Sequence, residues 1–399
     1  MPTDFIPPTE FAERRRKLLN EIGDAVAVVF AGESRADFKA DPNFVYLTGI
    51  DNEAGAALLF DAGNPDPKRR VTLFLRPLMP ETDRWDGLRE PLSAAMRDRV
   101  GIDTVLRTNH LPAIVTAALR RAKQAACLHP FAIYPAAVSA DLNVFQQVVQ
   151  RVPGVKIDDR TGLLLSMRAT KSPAEIALIE RAVSITEAAY RHAVPHIRPG
   201  VNEGQVQLAL ETVYKQQGGG VAYGSIVGGG IGGTVLHYVA NNQPLQSGDL
   251  VVIDSAASFA GYASDVTRTY PVDGKFTDEQ CEVYEVVLKA ELAAIKASKP
   301  GVRLSDIDAA ARNVIDKAGF GDAFIHSIGH PLGLTVHDVV PDHPLKAGTV
   351  ITVEPGVYLP DRKLGVRIED DLVLTAKGNR DLTERIPKTV KDVEAAMRG

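Results

Sequence analysis

Three early runs, DAVAVVFAG (24–32), EAGAALLFD (53–61) and RVTLFLRP (70–77), hold dense apolar and β-branched residues over strand length. They predict strands. LPAIVTAALRRAKQA (111–125) and ADLNVFQQVVQRV (140–152) instead carry apolar residues at helical spacing, and predict amphipathic helices. Alternation of this kind, up to about residue 157, predicts an α/β layer domain. It contains no phosphate-binding glycine loop, so the pattern carries no nucleotide argument.

VKIDDRTG (155–162) marks the crossing to a second domain. The long helix of KSPAEIALIERAVSITEAAYRHAV starts there on three concurrent signals: Ser172 as N-cap, Pro173 at the first position, and Glu175 completing a capping box. It ends at HIRPGVNEGQ, and Asn202 caps a second helix that stops at the glycines of 218–220. Further on the order returns. Thr277 caps a helix from about Asp278, which ends at ASKPGVRLSD, and a second helix stops near Gly319. A single Pro-Gly is only a helix breaker. The whole order (helix, basic residue, Pro-Gly-Val, helix, Gly, strands) occurring twice predicts a duplicated α/β unit with halves facing across a cleft. The glycine cluster VGGGIGG (227–233) reads as a flexible turn.

Composition narrows the class. The 399 residues suffice for two domains with sizeable cores, and 45% hydrophobic with 24% charged residues is ordinary for a globular chain. A net charge of -5 argues against nucleic acid or an anionic membrane as partner. The two cysteines, Cys127 and Cys281, have no pairing pattern, which suits a reducing compartment. MPTDFIPPTEFAERRRKL lacks a signal-peptide core, and no apolar run has the length of a membrane span. The expectation is a cytoplasmic protein.

The chemistry lies where carboxylates interrupt strands. Asp254 closes LVVID, and Asp265 opens DVTRTY after the turn AGYAS; a hairpin would put both on one face. Glu354 and Glu369 interrupt the β-branched runs TVITVEPGVYLP and GVRIEDDLVLT. One such acid alone reads as a solvated strand end. Four of them, with a histidine from a glycine-rich loop, read differently, because a bare buried carboxylate costs several kcal/mol unless paired, protonated or metal-bound. Two divalent cations would neutralise the four charges. The oxygen-rich ligand set suits Mn²⁺, Co²⁺ or Zn²⁺. Two adjacent ions can activate water and clamp a tetrahedral intermediate.

Three of the nine histidines, His326, His330 and His337, crowd into FIHSIGHPLGLTVHD (324–338). His326 and His330 have the spacing of a helical zinc pair. Gly329, Pro331 and Gly333 disfavour a helix, and Ser327 stands where that motif has a glutamate. One of the three is expected to be a ligand and two are not.

Taken together, NFVYLTGI (43–50), TDRWDGLRE (82–90), DSAASFAGYASDVTRTYPVDGKF, HPLGLTVHD, VEPGVY and GVRIEDD resemble the pita-bread metallopeptidases over nearly the whole chain. The likeness is to the proline-specific branch, Xaa-Pro dipeptidases (prolidases) and Xaa-Pro aminopeptidases. It implies a creatinase-type α/β domain over 1–157 and a pita-bread catalytic domain, α+β with pseudo-twofold halves, over 160–399. It implies the metal ligands Asp254, Asp265, His330, Glu354 and Glu369, with Asp265 and Glu369 bridging two ions, Mn²⁺ first and Co²⁺ or Zn²⁺ otherwise. Glu354 matches the general base, His237 the histidine beside the substrate that stabilises the intermediate, and His337 one that contacts the scissile bond. Arg367 matches an arginine that binds substrate or orients the acids. His326 matches no ligand and is expected to pack or to hydrogen-bond behind the site. Trp85 matches a tryptophan that in some relatives reaches a neighbouring subunit; a partly buried aromatic is the alternative.

Three departures stand out. Ala256 replaces a usual glycine, and Phe259 a usual tyrosine whose hydroxyl supports a ligand or proton relay; Phe259 cannot donate. Pro331 also stands where many relatives have glycine or a bulky residue. The implied activity is hydrolysis of the Xaa-Pro bond in dipeptides, with a peptide as substrate and a homodimer or homotetramer as the assembly. The alternatives are an aminopeptidase acting on longer peptides, or a non-catalytic binding protein of the same fold. The filled ligand set argues against the last, and against a metal-free creatinase-like hydrolase. The large N-terminal domain argues against a methionine aminopeptidase.

Overall fold

A computed structural model of the chain describes residues 5–33, 38–86, 89, 91–129, 137–338 and 343–398. It divides into two compact units, Met1–Arg168 and Ala169–Gly399. The first is built on a six-stranded mixed sheet, in the order Thr104–Arg107, Val71–Leu75, Ala57–Asp61, Val26–Phe30, Gln124–Cys127, Lys156–Asp159. Val26 and Val28, alternate positions of one strand, face the same core as Val115 and Leu119 of one helix and Phe145 and Val148 of another. The three strands and two helices predicted from the pattern all form, with shorter ends. The strands Thr104–Arg107, Gln124–Cys127 and Lys156–Asp159 had no predictive pattern, being four residues each with polar members. The last lies inside the stretch read as the crossing, and a helix, Thr161–Ala169, follows it.

The second unit shows the duplication in its hydrogen bonds. Ser172 caps the helix Pro173–Ala193 in a capping box with Glu175, Asn202 caps Glu203–Gln216, and Thr277 caps Asp278–Ala297. The two Pro-Gly-Val turns are the same turn. Gly200 and Gly301 have φ of 84° and 92°. Gly200 N–H donates to Leu245 O at 2.9 Å, and Gly301 N–H to Leu345 O at 2.8 Å. Leu245 N–H returns to Val201 O, and Leu345 N–H to Val302 O, both at 2.8 Å. Each half then contributes a three-stranded antiparallel sheet: Ile226–Gly229, Leu250–Asp254 and Thr267–Pro271 in one, Val350–Val353, Asp370–Thr375 and Gly378–Asp381 in the other. One continuous core joins the halves, from Val206 and Leu210 to Ile307 and Ala311. The repeat carries Leu245, Gly248 and Asp254 onto Leu345, Gly348 and Glu354, so two of the strand-ending acids are counterparts.

The glycine cluster before His237 is not a flexible turn. Residues 230–234 form a 3-10 turn that packs against the strand Leu364–Arg367. A Cβ on Gly365 would lie 2.0 Å from Gly233 O, and one on Gly228 2.7 Å from the carbonyl carbon of Gly232. Backbone-to-backbone contact therefore fixes glycine at these positions, and it holds the strand that carries Arg367. Gly365→Ala should lower stability by about 3 kcal/mol or more, since neither backbone can yield cheaply. Its urea midpoint would show this, and an unchanged midpoint would refute the packing account.

Candidate active site

The halves enclose a cavity of about 430 Å³. Its lining includes all eight residues singled out above: His237, Asp254, Asp265, His330, His337, Glu354, Arg367 and Glu369. Strand register delivers the acids. Asp254 ends Leu250–Asp254 opposite Thr267, and Asp265, two residues before Thr267, shares its side of the sheet. Glu354 follows Val350–Val353, whose last residue pairs with Asp370, next to Glu369. Glu369 is fixed from both ends: its N–H donates to Thr267 O at 3.0 Å, and the Thr267 hydroxyl donates to its Oε2 at 2.7 Å.

The histidine segment is irregular, as the glycines and proline require. A Cβ on Gly329, at φ 151°, would lie 2.4 Å from Thr352 O. The segment is laced to the strand instead: Thr352 N–H donates to His330 O and Glu354 N–H to Ile328 O, both at 2.8 Å. Nδ1 of His330 lies 3.1 Å from Pro331 O, so it carries the proton and donates. Nε2 keeps its lone pair, 3.5 Å from an oxygen of Asp265 and of Glu354. Burial lowers the His330 pKa to about 4, so the ring is neutral at neutral pH and available as a ligand.

Asp265, His330 and Glu369 each offer a ligand atom within 4.8 Å of the others, which fits one cation directly. The electrostatics ask for one. Burial, then neighbouring carboxylates, hold Asp265 and Glu369 well above the usual carboxylate range, and burial pushes Glu354 up to about 8. Oδ1 of Asp254 is buried without a hydrogen-bond partner. A divalent cation would satisfy that oxygen and the crowded charge together.

Arg367 answers part of the charge. Its Nη2 reaches Asp254 at 2.7 Å, Nη1 the Tyr358 hydroxyl at 2.9 Å, and Nε the Thr267 hydroxyl at 3.1 Å. Each nitrogen already faces protein and the residue is only 3% exposed, so the geometry favours orienting the acids over binding substrate. His326 lines the cavity and does not stand behind it, but it makes the expected hydrogen bond, with Nε2 2.9 Å from the Tyr358 hydroxyl. His337 is exposed and stands edge-on to His330, with ring centroids 4.2 Å apart. The three histidines thus occupy three different environments.

Sequence reasoning missed several residues. Tyr223 lines the cavity and donates to Asp265, so a tyrosine hydroxyl supports a ligand from a position other than Phe259. Phe259 itself packs under the Arg181 guanidinium and is not among the described residues lining the cavity. Behind Glu369, fully buried Arg268 donates to Glu369 O and pairs with Asp370 at 2.7 Å. No periodicity flags such single long-range contacts. Trp85 is 90% exposed on the helix Pro80–Asp86 and not partly buried. Among the described residues no helix is long and apolar enough to cross a membrane.

A duplicated α/β unit with acids and one imidazole converging between its halves is the frame of a metal-dependent hydrolase. Residues 177–376 match metallopeptidase family M24, and residues 11–127 match the aminopeptidase P N-terminal domain. The chain belongs to metallopeptidase family M24, the pita-bread enzymes, with a creatinase-like N-terminal domain. It is 32% identical to the Xaa-Pro aminopeptidase of Haemophilus influenzae, over 98% of both chains. Proline aminopeptidase P II of Yersinia pestis superposes with a TM-score of 0.87 at 30% identity, over 98% of this chain and 100% of that one. The Xaa-Pro dipeptidase of Pyrococcus horikoshii is 39% identical, but over only 57% of this chain and 66% of its own. The full-length likeness is therefore to aminopeptidases, and it favours the alternative reading over the dipeptidase expected first.

The raised carboxyl pKa values have a signed consequence. Folded carboxyls that hold protons above their unfolded pKa stabilise the metal-free protein at low pH, and that stability is lost as pH rises from about 4.3 through the folded values. For Glu354 the loss extends through about pH 8. After chelation, Tm should fall between pH 5 and pH 8, beyond any fall seen with a divalent ion added. Calorimetry across that range checks it; parallel curves with and without metal would refute the assignment.

Proposed function

We propose that this chain is an Xaa-Pro aminopeptidase, which releases the N-terminal residue of a peptide whose second residue is proline. The observation that carries the reading is likeness across both domains to aminopeptidases, whereas the dipeptidase likeness covers little more than half of the chain. Asp254, Asp265, His330, Glu354 and Glu369 would hold two divalent cations, Mn²⁺ first and Co²⁺ or Zn²⁺ otherwise. Bound there, the ions supply Lewis acidity toward the scissile carbonyl and acidify water at neutral pH.

The protein's own groups do the rest. Glu354, in the cavity wall, takes a proton from the attacking water and passes it to the proline nitrogen as the C–N bond breaks. His237, exposed at the cavity wall, donates to the developing oxyanion. His337 contacts the substrate around the scissile bond. Arg367 holds the Asp254 carboxylate in place. Ile226, Leu236, Val239 and Val336 add an apolar wall suited to a proline ring or an aliphatic side chain.

Ala-Pro-Ala and Ala-Pro, assayed side by side with Mn²⁺, test the reading. Release of alanine from the tripeptide, with slow or no turnover of the dipeptide, is expected; the reverse order would favour the dipeptidase. Glu354→Ala should lower kcat by about 10²–10⁴, the usual contribution of a general base. Near-native turnover at saturating metal would remove Glu354 from its role.

A further inference from the structure

His237 sits on a surface loop, yet the structure leaves that loop little freedom. The buried carboxylate of Glu203, 1% exposed at the first position of its helix, gathers three donors from the loop and its root. Oε1 accepts from Gly229 N–H at 2.8 Å. Oε2 accepts from Gln243 N–H at 2.9 Å and from the Tyr238 hydroxyl at 3.0 Å. The three donors and the helix N-terminus offset the cost of burying the charge.

Tyr238 directly follows His237. Its ring lies against Gly232, where a Cβ would come within 3.2 Å of it. Beyond it, Asn241 at φ 44° accepts from Val227 N–H at 2.9 Å and donates to Ser225 O at 2.7 Å. The chain is thus held on one side of His237 by the glycine turn and on the other by Asn241, with Tyr238 pinned between. His237 itself carries none of these bonds.

We propose that Tyr238 and Glu203 are positioning residues for His237: the hydroxyl-to-carboxylate bond sets where the imidazole stands relative to the scissile carbonyl. The inference rests on the oxyanion role given to His237 above. Misplacing a catalytic group by about 1 Å can cost up to about 10² in rate, with little effect on ground-state binding.

The test is a double-mutant cycle in the metal-loaded enzyme on Ala-Pro-Ala. Tyr238→Phe keeps the ring and removes only the bond. It should lower kcat by about tenfold, with KM and bound metal unchanged. Glu203→Gln, which loses the charge but keeps one acceptor, should fall in the same direction. His237→Ala should lose more than either. Adding Tyr238→Phe to His237→Ala should then cost nothing further, because a positioning residue has nothing left to position.

Independent, multiplying losses would overturn the proposal and leave His237's own role standing, as would native kcat in Tyr238→Phe. Native kcat in His237→Ala would instead remove the oxyanion role, and this inference with it. If Tyr238→Phe lowers metal content or Tm, the Glu203→Gln cycle with His237→Ala decides by the same criterion.

Discussion

Everything in the catalytic unit answers one constraint: the four carboxylates of Asp254, Asp265, Glu354 and Glu369 share one small cavity. Each charge buried alone costs several kcal/mol, and together they repel. The protein meets the cost locally, with Arg367 on Asp254, Thr267 on Glu369 and Tyr223 on Asp265. What remains raises the carboxyl pKa values and leaves an oxygen of Asp254 unsatisfied. A site built this way is poised for cations and is costly without them.

Duplication explains how one chain assembles such a site. Equivalent turns at Gly200 and Gly301, with equivalent bonds to Leu245 and Leu345, launch equivalent strands, one ending at Asp254 and the other just before Glu354. Asp254 is the last residue of its strand, and Asp265, Glu354 and Glu369 stand within two residues of strand ends, which keeps their geometry tight. The exception is His330, whose irregular segment is laced to the strand ahead of Glu354. Where the halves meet, Gly233 and Gly365 bring backbones into contact and hold Arg367's strand in register.

Much of this was legible in the sequence because it depended on local or periodic signals. Ser172, Pro173 and Glu175 announce their helix, and an acid ending a β-branched run is conspicuous at Asp254 and Glu354. The Pro-Gly-Val repeat announces the duplication. The unread features depend on contacts between distant residues. Nothing near Tyr223 says that its hydroxyl will reach Asp265, and nothing in VGGGIGG says that a strand far along the chain will press on it. The strands at the edges of the N-terminal sheet escaped notice because four half-polar residues carry no alternation to read. The choice between dipeptidase and aminopeptidase was not legible for a different cause: both readings rest on the same acids and histidine, and only likeness across the N-terminal domain favours the aminopeptidase.

On the electrostatics above, the acid cluster is built to hold divalent cations, with protons as their substitutes. Titrating chelator-treated protein with Mn²⁺ by calorimetry, at neutral pH in two buffers of different ionisation enthalpy, tests it most directly. Binding should release protons to the buffer, because the cation displaces them from raised carboxyls such as Glu354, and the release should shrink in Glu354→Gln. Binding without proton release, or no binding at all, would contradict the account.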